Sequence, residues 1–174
     1  HKFLAYNVLI DSLQTQKKYR ETIDEVNQEL YVLGFGPRKP GLFDALRTIF
    51  QVSRQLKGRR ATDMSSLTAY AYKDNDEVTQ AMNLLFSTAI AAWSLSDVTT
   101  SIASAFKPFL LTLKFGVGPL SAFAFACHAS ILSFQGKLED AYAYGELTLA
   151  TMERNDIDTE RECMARGTAW VTAM

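Results

Sequence analysis

Apolar positions recur along this chain at helical spacing, three or four residues apart, and almost nowhere with the alternation of a strand. Residues 2–15, KFLAYNVLIDSLQT, place Phe3, Tyr6, Val8, Leu9, Ile10 and Leu13 in that rhythm. Lys17-Lys18 makes a short turn. Residues 19–33 resume the rhythm through Tyr19, Ile23, Val26, Leu30 and Leu33, with Glu21, Asp24, Glu25 and Glu29 lining the other side. Two amphipathic helices with so short a joint pack antiparallel to hide their apolar stripes. Gly34 supplies the left-handed residue that ends such a helix, and FGPRKPG (35–41) breaks regularity.

Residues 42–56, LFDALRTIFQVSRQL, form a third helix with Leu42, Leu46, Ile49, Phe50 and Leu56 as its expected inner face. Residues 57–66 are polar and read as a loop, and 67–75 leave room for a short helical turn. Asp74, Asn75 and Asp76 offer an N-cap to a helix from about 77 to 95, carrying Val78, Met82, Leu85, Phe86, Ile90 and Trp93 inward. Ser96 or Asp97 caps the next, about 97–115, where Pro108 is placed to kink it.

The stretch KFGVGPLS (114–121) has the look of a phosphate-cradling loop. A buried strand should then precede it, and a Gly-Lys-Ser/Thr finish should follow. Instead a helix precedes Gly116, and Pro119 falls in the first turn of another. Glycine past one helix end and proline just inside the next is the signature of a helix joint. The helix at 119–135 is apolar nearly all round, with alanines at 122, 124, 126 and 129, so neighbours should enclose it closely. QGKLEDA turns the chain into a helix from about 138 to 154, and NDIDTERE opens a last, truncated one.

Two of these helix pairs repeat one another. Residues 6–30 and 125–149 align without gaps, matching Tyr6 with Phe125, Leu13 with Leu132, Tyr19 with Leu138, Thr22 with Ala141 and Leu30 with Leu149. Helix, tight turn, then a helix with a small residue one turn in resembles the tetratricopeptide repeat, although Gly145 departs from its usual aromatic. The fold class expected is therefore all-α. Antiparallel helix pairs should stack as a tetratricopeptide-like α-solenoid of about seven to eight helices. One helical-repeat region should span 1–174, with a first pair at 1–34, irregular middle helices at 42–115 and a second pair at 119–174.

Composition changes this picture little. The 174 residues are 48% hydrophobic and 21% charged, with four prolines and nine glycines, which suits long elements in an ordinary globular chain. The net charge of −1 dictates no nucleic-acid partner. Its distribution is uneven: residues 1–60 hold 11 Lys/Arg against 6 Asp/Glu, and the remainder is acidic. Cys127 and Cys163 make no disulfide framework, which fits a reducing, cytoplasmic setting. Lys114, the glycine joint and His128 interrupt the apolar run 108–134, so membrane insertion is not expected. Because the chain runs in helical register from His1 to Met174, it reads as a piece of something longer, with a tendency to self-associate.

Candidate chemistry is sparse. His128 and Cys127 are helix neighbours about 100° apart and do not share a metal readily; a core histidine is the expectation. The carboxylates at 139–140 and 156–162 sit at turns and helix starts, where the helix dipole explains them. Catalytic, cofactor and metal residues are therefore assigned as none. Arg54, Lys57, Arg59 and Arg60 form the basic cluster available to a phosphate or an acidic partner segment.

LLTLKFGVGPLSAFAFACHASILSFQGKLEDAYAYGELTLATMER, together with YRETIDEVNQELYVLGFGP, resembles the helical tetratricopeptide-like region of large multi-domain signalling ATPases and kinases. In these a kinase-like region and a signal-transduction ATPase precede the helices. The resemblance implies a non-catalytic regulatory segment that couples an ATPase or kinase to downstream output and has protein partners. No catalytic residue carries over, because none of the family's catalytic motifs lies in this stretch. The alternative is a stand-alone helical bundle that binds or converts a small apolar molecule between the 77–95 and 119–135 helices, centred on His128 or Trp93.

Overall fold

A computed structural model describes residues 2–36, 41–56, 75–118 and 120–155. Among these the chain is all-helical. Its seven helices are α1 (Lys2–Thr15), α2 (Tyr19–Val32), α3 (Leu42–Leu56), α4 (Asp76–Ser94), α5 (Val98–Phe115), α6 (Ser121–Phe134) and α7 (Leu138–Asn155). No described helix is long and apolar enough to cross a membrane. The expected loop at 57–66, the turn at 67–75 up to Asp74, and the last helix beyond Asn155 lie outside the described residues.

The helix ends explain why the boundaries fall where they do. α1, α2, α4 and α6 all finish with one scheme of two backbone hydrogen bonds. The amides of Lys18, Phe35, Asp97 and Lys137 donate to the carbonyls of Leu13, Leu30, Ala92 and Leu132, each five residues back. The residue before each of these amides turns left-handed: Lys17, Gly34, Ser96 and Gly136, at φ +58°, +77°, +57° and +75°. This is the Schellman cap, which satisfies carbonyls that a helix end otherwise orphans. The caps of α4 and α6 lie roughly 40 residues apart, within the range of helix-pair repeats. At the N-termini, Asn75 Oδ1 accepts from the amides of Glu77 and Val78 at 2.9 and 3.2 Å. Asp97 caps α5, its Oδ1 accepting from the Thr100 amide at 3.0 Å, which decides between Ser96 and Asp97. Pro108 lies inside α5, and the helix runs on through it to Phe115.

The chain divides into two compact units. The first comprises residues 1–50 and 75–107, the second residues 51–74 and 108–174, so the division falls within α3 and within α5. In the first unit α1 packs against α2 and α4, and α2 against α4. Ile10, Leu13, Val26, Leu30, Val78, Leu84 and Leu85 are sealed there. Polar side chains fix the register of these helices. Gln80 Nε2 donates to Asn7 Oδ1 at 2.8 Å, Gln14 Nε2 to the Ser87 carbonyl at 3.0 Å, and Tyr6 Oη to the Glu25 carbonyl at 2.5 Å. In the second unit α6 packs against α7. Ala124, Ala126 and Ala129 on α6 and Ala141 on α7 are fully buried, and such small side chains let helix backbones approach closely.

Several expected faces are corrected. α3 buries Ala45, Thr48 and Val52 and exposes Leu42, Leu46 and Phe50, so its inward side carries smaller residues than expected. Val8 and Leu9 on α1 and Trp93 on α4 are exposed, and Glu29, expected outside, is buried. Trp93 stands one residue from the end of α4 beside the Leu95–Asp97 joint, beyond reach of the core that Leu84 and Leu85 fill.

Candidate functional site

Two places gather what the sequence singled out: the face of α3, and the α5–α6–α7 junction around His128.

Along α3, positions 42, 46 and 50 fall in one row at i, i+4 spacing, and Phe43 stands beside them. All four side chains are exposed, Phe43 by 80% and Phe50 by 67%. Arg47 and Arg54, seven residues apart, line one edge of this arc, and both are exposed. The helix's sole carboxylate is Asp44, and it is engaged: Lys107 Nζ of α5 lies 2.6 Å from its Oδ2, with both side chains largely buried. Exposed α3 thus combines apolar anchors with two arginines that pair with no described carboxylate. Of the basic residues singled out in the sequence, Arg54 is placed here, in the last turn of α3; Lys57, Arg59 and Arg60 lie outside the described residues. Arg47 was missed, although its spacing from Arg54 sets both on one helix edge.

His128 is buried on α6, as a core histidine should be. Its ring lies 4.8 Å from that of Phe109 on α5 and 4.6 Å, edge-on, from that of Tyr144 on α7. Phe109 in turn meets Phe125 at 5.9 Å, also edge-on. Burial, with the positive charge of Lys137, pushes the imidazole down to about 4, while Asp140 opposes that shift. Near pH 7 it is therefore a neutral ring in an aromatic cluster. Burial raises the Tyr144 phenol, and Asp140 adds to the effect. Burial likewise pushes the Cys127 thiol up to about 12, which makes it a poor nucleophile at neutral pH.

Beside this cluster the Gly-x-Gly joint is closed by a chain of hydroxyls. The Gly118 amide donates to Ser121 Oγ at 3.0 Å. Ser121 Oγ lies 2.9 Å from Thr112 Oγ1, which donates its own proton to the Pro108 carbonyl at 3.0 Å. With Thr112's single proton committed, Ser121 is the donor between the two hydroxyls. Gly116, at φ +96°, ends α5 through its amide bond to the Thr112 carbonyl at 3.0 Å. The amides of Gly116 and Gly118 are thus spent on helix connection, not aimed outward as a phosphate cradle requires.

Among the described residues no three of His, Cys, Asp and Glu come together as metal ligands. No family model, no curated protein and no solved structure matches this chain.

Proposed function

We propose that this chain is a non-catalytic protein-interaction segment built from tetratricopeptide-like helix pairs. In this reading the pairs stack as an α-solenoid in a larger cytoplasmic signalling protein and couple an ATPase or kinase to its output. One observation carries the reading: large apolar side chains stand on the surface while His128 is shut inside. Phe43, Phe50, Trp93 and Phe134 are each at least 67% exposed, whereas His128 is packed between two rings and held neutral. Aromatic residues presented to solvent are the material of protein interfaces. The ungapped match of residues 6–30 with 125–149 supports the repeat. The coupling to an ATPase or kinase rests on the sequence resemblance.

The small-molecule reading needs a cavity converging on His128 or Trp93. Trp93 is 78% exposed, and aromatic rings occupy the contacts of His128, which favours the interaction reading. The decisive experiment assays the purified chain for nucleotide hydrolysis while reading the coding sequence on both sides. A Gly-x4-Gly-Lys-Ser/Thr loop upstream, with no turnover by the chain itself, supports the proposal. Turnover that a single substitution in the chain abolishes overturns it.

A further inference from the structure

We infer that the outward face of α3 is a docking site for an acidic amphipathic helix, which lays its apolar side on Leu42, Phe43, Leu46 and Phe50 and its carboxylates against Arg47 and Arg54. The inference rests on the interaction reading and names its surface and the chemistry of its partner.

Three observations converge. First, α3 is the most one-sidedly amphipathic of the seven helices, yet it turns the larger part of its apolar side to solvent and buries Ala45, Thr48 and Val52 instead. The four neighbouring side chains are 55% to 80% exposed, and apolar residues exposed together in one patch mark an interaction site. Second, their row at i, i+4 spacing is a ridge that the i, i+3, i+4, i+7 anchors of a partner helix can straddle. Third, the charge on this face has one sign. Asp44 is neutralised by Lys107, and neither Arg47 nor Arg54 has an ion pair with a described residue. A guanidinium donates two hydrogen bonds to one carboxylate in fixed geometry, so glutamates along the partner's flank fit both arginines. A basic helix with the same anchors is repelled, which gives the face selectivity as well as adhesion.

The same chain also offers Phe134, Leu138 and Tyr142 as an exposed patch at the α6–α7 turn. That patch sets Lys137 near Glu139 and Asp140 in sequence, all exposed, and so offers no net positive charge.

The test uses the whole 174-residue chain and two fluorescent helical peptides with identical leucine anchors, one flanked by glutamates and the other by lysines. Anisotropy should show binding of the acidic peptide and at least about tenfold weaker binding of the basic one, a preference that salt erodes. Arg47→Glu with Arg54→Glu should invert the preference, and Leu46→Asp should abolish binding of both. All these side chains are exposed, so unchanged thermal melts are expected and serve as the folding control. Equal binding of the two peptides, or binding of neither, overturns the assignment. So does a dimer of the chain alone that Phe50→Asp dissociates, since a second copy is then the occupant. If the acidic peptide binds but is lost on Phe134→Asp and not on Leu46→Asp, the interaction reading stands and the α3 site falls. Turnover by the chain, in the assay given above, removes the interaction reading itself.

Discussion

Thr22 and Ala141 hold the same place in two helix pairs. Each lies one turn into the second helix, each donates its backbone amide at 2.9 Å to the lysine that opens that helix, Lys18 or Lys137, and each is completely buried. A side chain larger than these has no room where α7 meets the fully buried alanines of α6. Ala141→Leu is expected to destabilise the chain by about 1–3 kcal/mol through overpacking. The exposed neighbour change Tyr142→Leu should cost less than about 0.5 kcal/mol. Urea unfolding of the two variants checks the contrast; similar midpoints for both would contradict the close approach of α6 and α7.

The left-handed residues at the helix ends invite the opposite kind of change. Gly34 and Gly136 occupy that conformation freely, but Lys17 and Ser96 carry a Cβ there, at φ +58° and +57°. Lys17→Gly and Ser96→Gly should each stabilise by about 0.5–1 kcal/mol, the gain being reduced by glycine's extra freedom in the unfolded chain. A rise in Tm of a few degrees for each, measured by circular dichroism, is the expected result. A fall would mean that these caps are held by side-chain contacts and not by their hydrogen bonds.

These caps also show how far the sequence was legible. Gly34, Gly116 and Gly136 announce their helix ends in the sequence, and the ungapped match of 6–30 with 125–149 sets Thr22 against Ala141. The cap at Ser96 has no glycine to mark it, so its kinship with the other joints emerged only from its hydrogen bonds. The faces were harder. Periodicity located the apolar side of α3 correctly, but apolarity does not decide burial. Ala45 and Thr48 are the buried positions, and Leu42, Leu46 and Phe50 remain outside. Trp93 failed for a different reason: it keeps the helical rhythm, yet α4 ends one residue later. His128 was read as core from its apolar surroundings. Its partners Phe109 and Tyr144 come from the helices on either side of α6 in the chain, which spacing within one helix cannot reveal.

The hydroxyl chain at the Gly-x-Gly joint is a single unit and should behave as one. Ser121→Ala leaves the buried Gly118 amide without its acceptor and removes the donor to Thr112, at an expected cost of about 1–3 kcal/mol. Thr112→Val should cost a comparable amount. The double variant is expected to lose less than the two separate losses combined, because the second change removes a hydroxyl whose partner is already gone. A double-mutant cycle in urea measures the coupling, and amide exchange at Gly118 should quicken in Ser121→Ala. Strict additivity would separate the two hydroxyls and leave the joint to its glycines alone.

Acid should loosen the α5–α6–α7 junction through His128. In the fold its imidazole is held down to about 4 by burial and by Lys137, against the ordinary 6.5 of the unfolded chain. Between these values the unfolded state binds the proton and the folded state does not, so stability falls as the pH drops from 6.5 towards 4. The full effect amounts to about 3 kcal/mol, complete only below the folded value. His128→Phe keeps an aromatic ring against Phe109 and Tyr144 and should remove this slope while sparing the acid sensitivity of the carboxylates. Urea unfolding of both proteins at pH 7.5 and 4.5 isolates the difference. Lys137→Met should move the folded imidazole upward and Asp140→Asn downward, as read from its proton resonances, since the first removes a cation and the second an anion. Parallel stability profiles for the chain and His128→Phe would show that the histidine titrates as freely in the fold as outside it, and the packing against Phe109 and Tyr144 would then have to be looser than the ring distances describe.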